Sequence, residues 1–248
     1  MARVLELFSG TGSIGKCCKE LGWESISVDL ESKFNPTHLC DIMDFNYKQY
    51  SPDYFDIVWA SPPCTEYSHL QNTFLGRNKK GIIFTKEIWE DNMKEADKIV
   101  LKTLEIINYF KSEYYFIENP QTGKMKDREI MKDIPFYDVD YCKYSLWGYK
   151  KRTRIWTNKE NWTALTCKND CDNIIKINNQ VLHKERMGTS KTIQDGDKII
   201  RCNTAELRLK YKDYPNLQSN KNKAYGKGTT ITDRYRIPPD LIYSLFID

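Results

Sequence analysis

A pair of prolines leads directly into a thiol in the stretch Trp59-Ala60-Ser61-Pro62-Pro63-Cys64-Thr65-Glu66-Tyr67-Ser68. The fixed φ angles of Pro62 and Pro63 leave this turn few shapes. A sulfur that attacks carbon must be held at near-attack distance, so such rigidity suits a nucleophile. A buried, inert cysteine at a strand end is the commoner fate of such a residue, and the tripeptide alone does not separate the two. Three other places carry groups with chemistry. Ser9-Gly10-Thr11-Gly12-Ser13 is a glycine-rich turn, where backbone can approach a ligand and the next helix offers free N–H donors. Asp29 follows about 20 residues on, the spacing at which a carboxylate accepts a ribose hydroxyl, with Asp41 beyond it. Glu118 opens Glu118-Asn119-Pro120, and Arg152 and Arg154 follow. Each also has a plain reading: Asp29 as a helix cap, Glu118 as a turn cap, the arginines as surface cations.

The elements that must position these groups are legible in outline. Arg3 to Phe8 reads as a buried strand, and a helix from Ile14 to Leu21 ends at Gly22. Ser25 to Val28 is a second strand, a third short element precedes Cys40, and Asp56 to Ala60 is a fourth strand. From Lys86 to Phe110 the apolar residues Trp89, Met93, Ala96, Val100, Leu104 and Ile107 recur at steps of three and four, which predicts a long helix. Tyr114 to Ile117, Tyr137 to Cys142 and Arg154 to Thr157 read as later strands. Pro238 to Phe246 reads as a closing helix with proline in its first turn, and Asn203 to Tyr211 has helical spacing. Strands alternating with helices predict an α/β fold with a parallel sheet. In open sheets of this kind ligands bind outside the carboxyl ends of the strands, so the glycine turn, Asp29, Cys64 and Glu118 are expected to share one cleft.

The 248 residues suffice for a sizeable core. With 40% hydrophobic and 29% charged residues the composition is that of an ordinary globular protein, which excludes a disordered chain. No apolar run reaches the length of a membrane span, and the N-terminus reads as a strand and not a signal peptide. Eight cysteines without a secretion signal point to reduced thiols and a cytoplasmic setting, in a bacterial or phage-infected cell. The net charge of +4 hides an asymmetry: Lys150 to Lys227 holds 18 basic and 8 acidic residues, the remainder 20 basic and 26 acidic. A basic segment on an acidic body fits a polyanion partner, although a solvated lysine-rich surface has the same signature.

Taken together, these motifs resemble those of the cytosine-5 DNA methyltransferases. Leu7-Phe8-Ser9-Gly10-Thr11-Gly12 resembles that family's cofactor loop, Ser61-Pro62-Pro63-Cys64 its nucleophile motif, and Glu118-Asn119-Pro120 its Glu-Asn-Val motif. Arg152-Thr153-Arg154 resembles the arginines of Gln-x-Arg-x-Arg. Thr204-Ala205-Glu206-Leu207-Arg208, with Tyr214-Pro215, and the final Pro238-Pro239 follow in the family's order. The resemblance implies a Rossmann-like S-adenosyl-L-methionine-dependent fold with a small target-recognition insertion. Its expected domains are a catalytic region over 1–157, a recognition region over 158–228 and a C-terminal helix over 229–248 that returns to the catalytic region. It further implies that Phe8, Ser9, Gly10, Thr11, Gly12, Ser13, Ile14, Asp29, Leu30, Asp41, Ile42, Ser61 and Pro62 hold the cofactor. Cys64 would add to carbon 6 of a flipped cytosine, Glu118 would hold a proton at ring nitrogen 3, and Arg152 and Arg154 would orient the base. The expected partner is double-stranded DNA, with RNA (tRNA) as the alternative substrate, and the chain is expected to act as a monomer.

Two departures from the family pattern matter. Lys150 stands where the family has the first Gln of Gln-x-Arg-x-Arg. Arg234-Tyr235-Arg236-Ile237 stands where a Gly-Asn usually precedes the last prolines, which raises the alternative of a carboxylated cofactor analogue with Arg234 or Arg236 as counter-charge. Thr65 to Phe84, with Gly76, Arg77, Lys79 and Lys80, reads as a mobile loop over the cleft or a long insertion. Cys167 and Cys171, with His183 and Cys202, have spacing that permits zinc but lack a second clear pair, so no metal is expected.

Overall fold

The computed structural model describes residues 1–79, 81–177, 180–184, 191–195, 198–202 and 234–247. The chain forms two compact units, one of residues 1–138 and 152–164, the other of 139–151 and 165–247.

The first unit is built on a mostly parallel sheet. Its strands are β1 (Arg3–Leu7), β2 (Glu24–Asp29), β3 (His38–Leu39), β4 (Ile57–Ala60), β7 (Tyr114–Pro120) and β9 (Arg152–Thr157). The edge strand β8 (Phe136–Asp140) runs out of this unit into the next. The order is β3-β2-β1-β4-β7-β9-β8, with β3 through β7 parallel and β9 antiparallel to β7. The central strands are apolar on both faces, as a covered parallel sheet requires: Val4, Leu5 and Leu7 of β1 and every residue of β4 are buried.

Helix α1 (Ser13–Glu20) links β1 to β2, and α2 (Lys86–Phe110) lies between β4 and β7. The long helix starts where the Thr85 hydroxyl accepts the Ile88 N–H, and ends at Lys111 in the left-handed conformation. It buries Trp89, Met93, Val100, Thr103, Ile106, Ile107 and Phe110. Each large apolar side chain among these contributes about 1.5–3 kcal/mol on leaving water. The predicted stripe is therefore close to the buried one, with Ala96 and Leu104 at its margin.

The segment after Cys64, expected as a mobile loop or a long insertion, contains short elements of its own. It folds as a 3-10 helix (His69–Phe74) and a small hairpin of β5 (Asn78–Lys79) and β6 (Ile82–Ile83). Its polar residues find local partners: Gln71 is buried and its amide donates to the Thr65 carbonyl at 3.1 Å. Lys80 lies outside the described residues.

The second unit carries the hairpins β10–β11 (Ile174–Ile177, Gln180–His183) and β12–β13 (Lys191–Asp195, Lys198–Cys202), and helix α3 (Pro239–Phe246). Leu241, Ile242 and Leu245 of α3 are fully buried. The helical spacing of 203–211 and most of the expected recognition region lie outside the described residues. Among the described residues no helix is long and apolar enough to cross a membrane.

Candidate active site

Strand register brings the candidate groups of the first unit into line. Leu7 pairs with Val28 on one side and Ala60 on the other, and Ala60 pairs with Ile117. The next residue along each strand is Phe8, Asp29, Ser61 and Glu118. One transverse row of the sheet thus leads to the glycine turn, Asp29, the Ser61-Pro62-Pro63-Cys64 segment and the last three residues of β7, Glu118-Asn119-Pro120.

Beyond β1 the chain turns through two left-handed glycines, Gly10 (φ 47°) and Gly12 (φ 66°). Phe8 shares this conformation at φ 59°, a strained state for an aromatic residue. A Cβ at Gly12 would meet nothing within 4 Å, so the turn is open on that side. Asp29 holds it: one carboxylate oxygen accepts Gly10 N–H at 2.8 Å and the other accepts Glu31 N–H at 2.8 Å. Each oxygen keeps a further lone pair for a ligand hydroxyl. Leu30, next to Asp29, is 67% exposed, an apolar surface suited to a purine ring. Ile42 is buried, and Asp41 accepts Met43 N–H at 2.9 Å. Thr11 and Ser13 join hydroxyls at 3.2 Å, Ile14 is buried, and Ser9 N–H donates to Val28.

Sequence reasoning missed Glu6. Its buried carboxylate accepts the N–H groups of Ile14 (3.2 Å) and Gly15 (3.1 Å) at the start of α1. Burial pushes this carboxyl up to about 7, and those two N–H groups and Lys16 pull the other way. The signal was present: a charged residue inside the otherwise apolar Val4-Leu5-Glu6-Leu7.

The segment that leads to Cys64 is anchored by hydrogen bonds from its flanks. Ser61 N–H donates to Leu7, and the Ser61 hydroxyl accepts the Trp59 indole at 3.1 Å. Pro62 offers its carbonyl to the Asn119 amide at 2.8 Å. Cys64 itself is partly exposed and forms no disulfide. Past it, the Trp89 indole donates to the Glu66 carbonyl at 2.7 Å, and the Tyr67 hydroxyl to Asp97 at 2.8 Å. Arg128 clamps Asp97 through Nε and Nη2 and reaches Glu90 through Nη1. Glu118, two residues before the end of β7, is only 7% exposed.

The two arginines are placed differently from each other. Arg154 lies opposite Asn119, while Glu118 lies opposite Ile155. The Arg154 guanidinium forms a two-point pair with Asp138 (2.7 and 2.9 Å) and lies 3.5 Å from the Phe136 ring centroid. Arg152 accepts Gln121 N–H at its carbonyl. In the second unit, the Arg234 carbonyl accepts from Lys151 and the Arg236 guanidinium lies over Trp147 at 4.4 Å.

No protein-family model matches the chain. It is 36% identical over 98% of its length, and 98% of the other's, to a probable DNA (cytosine-5)-methyltransferase of frog virus 3 (isolate Goorha). Among solved structures, it is similar to the Entamoeba histolytica methyltransferase EhMeth at 17% identity and a TM-score of 0.46, over 68% of this chain and 57% of that one. The Dnmt2 methyltransferase of S. pombe matches at 14% identity and a TM-score of 0.39, over 68% of this chain and 52% of that one. The chain thus spans about half the length of these two solved structures.

Proposed function

Because the chain belongs to the DNA (cytosine-5)-methyltransferase family, we propose that it transfers a methyl group from S-adenosyl-L-methionine to carbon 5 of cytosine in double-stranded DNA. The observation that carries this reading is the row Val28–Leu7–Ala60–Ile117, which aligns the glycine turn, Asp29, the Cys64 turn and Glu118 at the carboxyl side of the parallel strands.

The residues fit the cofactor. The open left-handed turn at Gly10 and Gly12, the free lone pairs of Asp29 and the exposed Leu30 suit a purine nucleoside. When bound, S-adenosyl-L-methionine supplies an electrophilic methyl group on sulfur. Phe8 through Ile14 with Asp29 and Leu30 would hold it, Asp41 and Ile42 would close the adenine side, and Ser61 and Pro62 the side toward the base.

The remaining chemistry falls to this chain's side chains. The Cys64 thiolate adds to carbon 6 of a cytosine taken out of the stack. Glu118 donates a proton at ring nitrogen 3, so the electron pair released by the addition collects at carbon 5 and makes it a nucleophile. After carbon 5 is methylated, loss of its proton to a base expels the Cys64 sulfur as thiolate, and return of the nitrogen 3 proton to Glu118 restores the ring. Arg152 orients the base oxygen, and Arg154, through Asp138 and Phe136, fixes the strand that carries Arg152.

We assign 1–157 to catalysis, 158–228 to target recognition and 229–248 to the closing helix. A recognition region this short makes few base-edge contacts, so phosphate contacts supply much of the affinity and the target is short or relaxed. The test is mass spectrometry of nucleosides after incubation with duplex DNA, tRNA or both, with S-adenosyl-L-methionine or its carboxylated analogue. 5-Methylcytosine in DNA is expected. Modified cytosine in tRNA alone, or a carboxylated product only, replaces this reading with one of its alternatives, and no modified cytosine at all removes it.

A further inference from the structure

Three buried thiols and an imidazole converge in the second unit. The Sγ atoms of Cys142, Cys167 and Cys171 and a ring nitrogen of His183 all lie within 4.8 Å of one another. His183 Nε2 is 3.6 Å from Cys167 Sγ and 3.4 Å from Cys171 Sγ. We propose that these four residues bind one zinc ion in a closed, structural Cys3His site.

The two sulfur–nitrogen distances are those that zinc imposes. With Zn–S near 2.3 Å and Zn–N near 2.0–2.1 Å, a tetrahedron has S···N edges of about 3.5 Å and S···S edges of about 3.8 Å. The two S···N separations straddle the first value. With every pair within 4.8 Å, none needs to close by more than roughly 1.3 Å.

Ordinary buried cysteines behave as small hydrophobes and sit among apolar side chains. These three pack on one another, with partly buried Ile174 as the hydrophobe packed against them among the described residues. None is in a disulfide.

Local structure aims all four ligands. Cys142 sits in the 3-10 turn Tyr141–Lys143. Cys167 and Cys171 flank a turn in which Asn169 is left-handed (φ 64°) and Asp170 accepts Lys168 N–H at 3.0 Å. The β10–β11 register sets His183 opposite Ile174, three residues past Cys171. A supporting layer of hydrogen bonds surrounds them. Buried Asp140 accepts Cys167 N–H at 2.7 Å, and the Asn173 amide donates to the Cys142 carbonyl at 2.9 Å.

Lys150 belongs to this layer. Its ammonium donates to the Cys167 carbonyl at 2.8 Å and lies 3.4 Å from Asp140. A glutamine, the residue of the family pattern at this position, has no charge to set against Asp140. The departure in sequence thus goes with the cysteine cluster. The ion would fix the segment that leads into β9 and its two arginines. The fourth ligand is Cys142, where the sequence had suggested Cys202.

The experiment is metal analysis of the full-length chain, expressed with zinc and purified without chelator. About one zinc per chain is expected, lost in Cys142→Ser and kept in Cys202→Ser. Replacement by cobalt should give the intense absorption of a tetrahedral thiolate site. If Cys142→Ser fails to fold, the cobalt spectrum of the unaltered chain decides. Little zinc with reduced thiols, a weak six-coordinate cobalt spectrum, or zinc retained by Cys142→Ser (an adventitious ion only) overturns the proposal.

Discussion

The Asn119 side-chain amide donates to the Pro62 carbonyl across 2.8 Å, joining residues 57 positions apart in the chain. This bond ties the end of β7 to the turn that presents Cys64, so Glu118 and the thiol are held by a common link. Asn119→Ala should cost about 1–3 kcal/mol for the buried carbonyl left without a donor. It should also slow formation of the Cys64 adduct about 10–100-fold by loosening the turn. Single-turnover trapping and thermal unfolding measured on the same variant separate the two effects. Unfolding at lower temperature with an unchanged adduct rate would remove the positioning role.

Cys64 is partly exposed, so its replacement should leave the fold intact. Cys64→Ala should lower turnover on the order of 10³-fold or more, the scale on which losing a covalent nucleophile acts. A 5-fluorocytosine duplex should trap the unaltered enzyme as a complex stable to denaturant, and the variant should form none. Trapping by the variant would place the nucleophile elsewhere.

Glu6 makes stability depend on pH. Its folded carboxyl sits near 7 against an ordinary value of 4.5, so the folded chain holds a proton that the unfolded chain releases between those values. Its contribution is therefore greatest below 4.5 and is lost as pH rises to about 7, a span worth roughly 3 kcal/mol. Glu6→Gln should flatten the curve of stability against pH over this interval. Urea midpoints at a series of pH values read the slope directly, and identical slopes in both proteins contradict the assignment.

Arg128, Asp97 and Tyr67 form one network beneath the Cys64 turn, and its members should not be equal. Tyr67→Phe removes a single bond to Asp97 and should cost about 1 kcal/mol. Arg128→Ala leaves the mostly buried Asp97 carboxylate without its cation, and should cost about 3 kcal/mol or more. Urea denaturation of both variants gives the comparison. Equal costs would show that the ion pair is not the centre of the network.

If phosphates supply most of the affinity, binding should weaken on the order of 10³-fold between 50 and 200 mM salt. The slope should be similar for duplexes of different sequence. Fluorescence anisotropy titrations at several salt concentrations check this, and a shallow slope contradicts the proposed recognition mode.

The parallel core was legible because β1 and β4 are apolar runs bounded by turn residues, and α2 because Trp89, Met93, Val100 and Ile107 keep helical spacing. The β8 end was drawn too long, because Tyr141 and Cys142 are as apolar as the strand before them yet turn into a 3-10 helix. The antiparallel sense of β9 was not legible, since alternation in Arg152-Thr153-Arg154-Ile155 fits either direction. Cys142 could not be joined to Cys167 and Cys171 from spacing, because tertiary structure and not a local motif brings it to them. The pairing of Arg154 with Asp138 was not legible for the same reason: β9 and the edge strand β8 had to meet before the charges did.

The shared row at the ends of β1, β2, β4 and β7 carries a cost in mutational tolerance. Deleting a single residue within any of these strands would draw its terminal group back by about 3.3 Å and rotate it to the far side of the pleat. Such a protein could still collapse around the same oily interior and be recovered in good yield while remaining chemically silent. Length changes should therefore be absorbed by the stretches between strands, and the counting frame inside them should be the least forgiving property of this chain.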